Sequence, residues 1–310
     1  MGEGVGFGKV ILFNEHFVVY GLPAIASAIG SKTTALVERQ TGSGVELQDE
    51  RPETPGYKAE KLAEQKESLD KMLRFMQVDA DRNYFKIILA GDLIAASGVG
   101  ASAASCAAIA RAFSDELGLH FSDERINEIA YEGEKGYHGT PSGIDNTAAT
   151  YGGLIWFKRE PNSQRMERMK LRKPVEIVMG NTGITADTKG VVGGVKERRE
   201  KEPEKYAPLF DEAAQLVEDA KKQLEAFDLN RVGALMNRNH ELLQQIGVSC
   251  NELDMLVNLA QDNGALGAKM TGTGRGGYML ALTPGLELQQ RVAAEIEKKG
   301  FQALRTTIGI

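Results

Sequence analysis

Two periodicities alternate along the chain. Residues 10–13 and 17–20 are short β-branched and aromatic runs that predict strands, and residues 33–38 predict another. Residues 41–57 are polar with Gly and Pro, which predicts a loop or hairpin. From 58 to 76 the apolar positions recur at helical spacing, with Leu62, Leu69, Met72, Leu73 and Met76 on one side. Residues 85–90 predict a strand, and after a loop of small residues 102–117 predict a helix rich in Ala and Ser, suited to close packing. Ser122 can cap the next helix. Arg125 stands where a capping box would place Glu or Gln, so half of that motif is present.

Beyond Tyr151-Gly152-Gly153 the pattern resumes with a strand at 154–157. Residues 158–173 are charged without an apolar period and predict a hairpin or linker. The domain boundary is placed at its end, giving units 1–172 and 173–310. Residues 175–179 start the second unit. Helices are predicted at 187–201, 205–228, 230–246 and 250–262. A glycine loop between two strand-like pieces follows at 268–282, then a helix at 287–299 and a strand at 301–309. Strands and helices mix without regular βαβ alternation, which predicts an α+β chain of two domains.

Composition narrows the function classes. With 42% hydrophobic and 26% charged residues the chain is not disordered. A net charge of −6 and the lack of a basic stripe argue against a nucleic-acid partner. No apolar run approaches a membrane span, and no signal peptide is visible. Cys106 and Cys250 lack metal-type spacing and predict a reducing, cytoplasmic setting. The anomaly is glycine: 35 of 310 residues, against roughly 22 at the usual ~7%. Many lie in a few short stretches, as expected where backbone turns tightly or meets a ligand.

Three of these stretches are candidate anion loops. Gly4-Val5-Gly6-Phe7-Gly8-Lys9 is not a Walker loop, because Glu3 and Val10 stand where Gly and Ser or Thr are required. It reads either as a flexible start or as a way of presenting Lys9 to a phosphate. Residues 97–105, Ser-Gly-Val-Gly-Ala-Ser-Ala-Ala-Ser, follow a strand and open a helix. That geometry turns free amides and the positive helix end toward an anion, or is a plain helix cap. In the stretch 269–277, Gly272, Gly274 and Gly277 match G-x-G-x-x-G, but a strand follows, so this is a backbone nest rather than a dinucleotide turn. Asp145 sits after a Gly/Pro break, where a turn role competes with a catalytic one. His16 reads as a partly buried hydrogen-bonded residue unless a substrate contact promotes it.

Taken together, four segments resemble the GHMP kinase superfamily and, within it, the mevalonate kinases. They are Gly8-Lys9-Val10-Ile11-Leu12-Phe13-Asn14-Glu15-His16-Phe17-Val18-Val19-Tyr20-Gly21, Gly98-Val99-Gly100-Ala101-Ser102-Ala103, His138-Gly139-Thr140-Pro141-Ser142-Gly143-Ile144-Asp145-Asn146, and the loop 269–277. Their order and wide spacing cover most of the chain. The resemblance implies an N-terminal domain like domain 2 of ribosomal protein S5 and a ferredoxin-like C-terminal domain. It implies ATP and Mg²⁺ as cofactors, mevalonate as the small-molecule substrate, and phosphorylation of its C5 hydroxyl in isoprenoid biosynthesis.

By position, the resemblance makes Asp145 and Lys9 catalytic. Gly98, Val99, Gly100, Ala101, Ser102, Ala103, Ser105, Gly272 and Gly274 would bind ATP; Glu15, His16 and Thr188 would bind mevalonate; Ser102 and Glu134 would hold the metal. Gly is usual in the family where Asn14 stands, and Asn is the next best residue at positive φ. Thr273 and Arg275 intrude in the third motif, and Arg275 either adds a phosphate contact or faces solvent. Dimerisation is left open. The competing expectations are a sibling kinase acting on phosphomevalonate, homoserine or the mevalonate 3-hydroxyl, a non-catalytic nucleotide-binding relative, and a dinucleotide-dependent oxidoreductase.

Overall fold

A computed structural model describes residues 1–95, 98–160, 163–185 and 188–310, with the side chains of residues 188 and 189 outside the description. The chain forms two compact units that are not consecutive stretches. One comprises Met1–Lys9 and Ala28–Gly152, the other Val10–Ser27 and Gly153–Ile310. The division expected from sequence, 1–172 and 173–310, differs from this one at residues 10–27 and 153–172.

In the first unit, strand β1 (Gly2–Phe13) begins at the N-terminus, and β2 (Ala24–Gln40) contributes most of its length. β3 (Gly44–Asp49) pairs in parallel with β4 (Tyr84–Gly91), which runs antiparallel to β2 from Thr33↔Gly91 to Gln40↔Tyr84. The polar stretch 41–57, expected as loop or hairpin, therefore holds a strand, which pairs with the following strand β4 and not with the preceding β2. Helices α1 (Tyr57–Glu60), α2 (Leu62–Met76), α3 (Ala101–Glu116), α4 (Asp123–His138) and α5 (Ile144–Tyr151) complete the unit. Ala35, Val37, Phe85, Ile87 and Leu89 from the strands pack on Met72, Leu73, Cys106, Phe113 and Ile129 from the helices. Phe85 and Phe113 meet edge to face at 5.1 Å. Leu62, expected on the buried face of α2, is 48% exposed because it opens the helix. Ser122 caps α4 as expected, its hydroxyl accepting from the Arg125 amide at 3.3 Å.

The segment 4–9, which read as a flexible start or a phosphate loop, is part of β1. Gly2, Gly4 and Gly6 alternate onto the side facing α3. A Cβ on them would lie 2.4 Å from the Ala112 carbonyl oxygen, 2.1 Å from that of Ala108 and 2.0 Å from that of Ala104. Alternating glycine matches the period of a strand, and the alanines of α3 complete a close strand-on-helix contact.

In the second unit, β5 (Leu154–Arg159) and β6 (Gln164–Met169) form the expected hairpin, and β5 also pairs with the first residues of β2. Four further strands run in the order β10 (Gln302–Ile308), β7 (Val175–Asn181), β9 (Tyr278–Leu282), β8 (Gly267–Thr271), with antiparallel neighbours. Between β7 and β8 lie α6 (Thr188–Lys201), α7 (Pro203–Ala226), α8 (Leu229–Gln245) and α9 (Asn251–Asp262). α10 (Leu286–Lys298) joins β9 to β10. Strand order 4-1-3-2 within a β-α-β-β-α-β chain is the ferredoxin-like arrangement expected from the resemblance.

The one failed strand is the run Phe17–Tyr20, which forms a 3-10 turn. Its aromatic residues serve packing rather than pleating: Phe17 and Tyr20 both meet the ring of Phe210 edge to face. Gly21, at φ 82°, closes the turn.

Candidate active site

In the first unit the candidate residues gather where β1 passes the starts of α3 and α5. Lys9, on β1, is 4% exposed, and its backbone N–H donates to Val99 O at 2.9 Å. Gly100 sits against the Lys9 stem. A Cβ there would lie 2.6 Å from Lys9 Cγ, and its φ of 72° is one that only glycine adopts without cost. The glycine thus gives the lysine room to run past the start of α3. Lys9 Nζ ends 2.9 Å from Asp145 Oδ1.

Asp145 lies in the first turn of α5, which Gly143 starts at φ 92°. A carboxylate in the first turn is favoured by the helix dipole. The turn is fixed from below. Thr147 Oγ1 donates to Gly143 O at 2.6 Å, and Asn146 Nδ2 donates to Asn127 Oδ1 at 2.7 Å. Asp145 itself stays 29% exposed, so a reactant can reach it.

α3 begins at Gly100 with no side-chain cap, so its first amides and the positive helix end are available to an anion. Ala101 and Ala103 are buried and Ser102 is half-buried in this turn. Gly98, at φ 92°, and the buried Val99 form the preceding turn. Ser97 lies outside the described residues. The Ser105 hydroxyl is spent on its own helix, donating to Ala101 O at 2.8 Å. Glu134, on α4, is 1% exposed, and neither carboxylate oxygen makes a hydrogen bond of good geometry among the described residues. Burial pushes its pKa up, while neighbouring His138, Ser102 and Lys9 pull the other way. His138 Nε2 is 3.7 Å from Glu134 Oε2.

In the second unit, Asn14, Glu15 and His16 form a strained turn tied to β8 and the glycine loop after it. Asn14 and His16 have φ of 70° and 60°. Phe17 N–H donates to Glu15 O at 2.6 Å, so His16 is the apex of a γ-turn of the rare positive-φ kind. Asn14 is locked on every side: its Nδ2 donates to Pro23 O and Ala213 O, both at 2.9 Å, and Asn239 Nδ2 donates to its Oδ1 at 3.1 Å. Asn at this position therefore tolerates the backbone and also fastens it to α7 and α8.

The Glu15 carboxylate pairs with the ammonium of Lys269, both essentially without exposure. Burial lowers the Lys269 pKa, and Glu15 opposes that. Lys269 also donates to Met270 O at 2.6 Å, and Met270 N–H donates to His240 Nδ1 at 3.3 Å. His240 Nε2 is 3.1 Å from Asp254 Oδ1. His16 Nε2 lies 2.6 Å from Thr273 O. Burial lowers the pKa of both His16 and His240 to about 4.

In the glycine loop, Gly272 and Gly274 have φ of 84° and 78°, and a Cβ at Gly274 would lie 2.1 Å from Val248 O. Arg275 donates from its Nη2 to Gly247 O at 3.1 Å and remains exposed. Thr188 opens α6, and its side chain lies outside the described residues.

The structure brings Lys9, Asp145, Ser102 and Glu134 together in one unit, and Glu15, His16 and the 272–274 loop in the other. Sequence reasoning missed Lys269, Asn239, His240 and Asp254. Their only signal was polarity at otherwise apolar helix and strand positions, since a buried Lys needs a buried acid.

Residues 66–153 match the GHMP kinases N terminal domain, and residues 220–302 match the GHMP kinases C terminal domain. Mevalonate kinase of Thermococcus gammatolerans is 34% identical over 320 residues, covering 97% of this chain and 94% of that protein. Mevalonate kinase of Pyrococcus horikoshii is 34% identical over 307 residues, covering 93% and 90%. The crystal structure of L. major mevalonate kinase in complex with R-mevalonate is 40% identical with a TM-score of 0.96, covering 99% of this chain and 96% of that one. GHMP kinases use ATP as phosphate donor. No helix among the described residues is long and apolar enough to cross a membrane. The chain belongs to the GHMP kinase family, and its full-length relatives place it among the mevalonate kinases.

Proposed function

We propose that this chain transfers the γ-phosphoryl group of ATP to the C5 hydroxyl of mevalonate, releasing ADP and 5-phosphomevalonate. The observation that carries the reading is the Lys9–Asp145 pair beside the uncapped start of α3. Phosphoryl transfer demands positioning and charge neutralisation. An alcohol also needs help to lose its proton at neutral pH, and a carboxylate held by an ammonium provides both functions at one point.

In the proposed step the C5 oxygen attacks the γ-phosphorus, the bond from that phosphorus to the bridging oxygen breaks, and ADP departs with the electron pair. Asp145 takes the hydroxyl proton. Lys9 holds Asp145 in place and offsets negative charge on the entering oxygen and the phosphoryl group. The amides of residues 101–103 and the loop at Gly272 and Gly274 are assigned to the phosphates. Glu15, His16 and Thr188 are assigned to mevalonate.

The fit to a divalent cation rests on Glu134, a buried carboxylate whose oxygens lack good hydrogen bonds, close to a serine hydroxyl. These are hard oxygen donors of the kind Mg²⁺ takes. No group of three or more His, Cys, Asp or Glu among the described residues is arranged for a metal, which suits an ion that completes its shell with water and phosphate oxygens. Ser102 and Glu134 would hold it, and when bound it neutralises phosphate charge.

The test is ADP release with mevalonate, phosphomevalonate and homoserine in parallel. Turnover of mevalonate alone is expected. Absence of turnover with mevalonate overturns the reading, and preference for either other acceptor reassigns the chain to a sibling activity.

A further inference from the structure

Asn14 and Asn239 hold each other in one fixed orientation. Both are buried without exposure. Asn14 Nδ2 lies 2.9 Å from Pro23 O and 2.9 Å from Ala213 O. Carbonyl oxygens only accept, so the amide nitrogen must face them, and both its hydrogens are used. That turns Asn14 Oδ1 toward Asn239, whose Nδ2 donates to it at 3.1 Å. Asn239 Oδ1 is then left to accept from the Asn14 backbone N–H at 3.2 Å. Reversing either amide would set like groups against each other. The helix that carries Asn239 also supports β8. Asn237 Oδ1 accepts from the Ala268 N–H at 2.8 Å, and His240 Nδ1 from the Met270 N–H at 3.3 Å. These two amides flank Lys269, whose ammonium pairs with Glu15. Asn14 and Glu15 are therefore both fastened to α8, one directly and one through β8.

We infer that Asn14 and Asn239 are positioning residues for mevalonate: they hold the Glu15–His16 turn in its receiving shape and stand behind it, out of contact with substrate. This rests on the proposed function, which assigns Glu15 and His16 to mevalonate, and deepens it. The turn needs such a hold. Residues 14 and 16 have φ of 70° and 60°, and conformations of this kind persist only where the surroundings over-determine them. Tolerance of positive φ does not by itself account for Asn14, because glycine adopts that backbone without steric cost. What glycine lacks is the amide that ties residues 23, 213 and 239 together. Its removal takes a hydrogen-bond partner from the buried Asn239 amide and from two carbonyls.

The experiment measures kcat and the KM values for mevalonate and ATP in wild type, Asn14→Gly, Asn239→Ala and the double variant. If Asn14 served only to sit at positive φ, glycine would do as well or better. Asn14→Gly is instead expected to raise the KM for mevalonate by about 10- to 100-fold, the scale of loss from a misplaced substrate group, with kcat and the KM for ATP within about fivefold of wild type. Asn239→Ala is expected to shift the same parameter. The double variant is expected to be no worse than Asn14→Gly, because the two residues act as one unit. An unchanged mevalonate KM in Asn14→Gly, or an equal rise in both KM values, overturns the inference and leaves the kinase reading standing. So does a double variant whose loss is the product of the two single losses. Failure of wild type to turn over mevalonate ends both. Should Asn14→Gly not fold, Asn239→Ala decides alone, since it keeps both Nδ2 bonds of Asn14. An unchanged mevalonate KM in that variant overturns the inference.

Discussion

Lys9 Nζ sits 2.9 Å from Asp145 Oδ1, and the lysine reaches it by running under Gly100, where any side chain would collide with the lysine stem. The pair is thus built from three of the four sequence motifs, and each end depends on the others. Asp145→Ala is expected to lower kcat by about 10²–10⁴-fold, the usual range for a positioned acid or base. ATP affinity, measured by titration calorimetry, is expected to change by only a few-fold, because the amides of α3 are untouched. Near-normal turnover removes Asp145 from its role.

The Glu15–Lys269 pair predicts a different kind of loss. Both partners are buried, so Lys269→Met leaves a carboxylate without its counter-ion. Breaking such a pair costs roughly 3–5 kcal/mol. The urea midpoint is expected to fall accordingly, and the double variant Lys269→Met/Glu15→Gln is expected to recover part of it. A single variant as stable as wild type would mean that the pair contributes little to holding the turn at residues 14–16.

This contrast shows what the sequence could reveal. Lys9, Ser102 and Asp145 lie in segments that carry the family resemblance, Glu134 lies just before one of them, and the ferredoxin-like half was implied by that resemblance, while the strand and helix runs alone gave only an α+β chain of two domains. Lys269 sits inside a strand of five buried residues, and its partner is 254 positions away. Its only local signal is a charge in an otherwise apolar run, which does not reveal the distant partner. The run Phe17–Tyr20 failed for a related reason. Its β-branched and aromatic residues do favour strands, but the γ-turn at His16 and the positive φ of Gly21 override that preference.

Acid is expected to weaken the fold through the two buried histidines. Both have folded pKa values near 4, against 6.5 for an ordinary histidine. Between those values the unfolded chain binds more protons, so stability rises with pH across the window. It is complete above about 6.5, falls as pH drops toward 4, and loses nothing further from these groups below that. Each contributes at most roughly 3 kcal/mol. Urea midpoints across pH 7 to 4.5 should show the decline, and His240→Gln should remove about one proton from its slope. An unchanged slope in that variant rules out His240 as a contributor.

Glu134 is a residue that folding alone would not choose. Its carboxylate is buried without good hydrogen bonds, and burial raises its pKa, so ionisation at neutral pH opposes the fold. Glu134→Gln is therefore expected to melt no lower than wild type in the absence of nucleotide. Its activity is expected to fall by 100-fold or more, with the Mg²⁺ concentration for half-maximal rate raised. A variant that is less stable yet needs no more Mg²⁺ would make Glu134 structural.

The N-terminal glycines give the clearest separation of packing from phosphate binding. Gly6 faces α3, and an added Cβ would lie 2.0 Å from Ala104 O, a backbone atom that cannot rotate away. Gly6→Ala must push β1 off the helix, at a cost of about 2–4 kcal/mol, in the upper range for overpacking. Gly118→Ala meets nothing within 4 Å and carries only the cost of its φ of 61°, about 1–2 kcal/mol. Thermal midpoints should rank wild type above Gly118→Ala above Gly6→Ala. ATP affinity of folded Gly6→Ala should remain within a few-fold of wild type. If Gly6→Ala instead kept its melting temperature and lost ATP binding, the glycines of β1 would belong to the phosphate site after all. Retention of both would mean that β1 can separate from α3 at little cost.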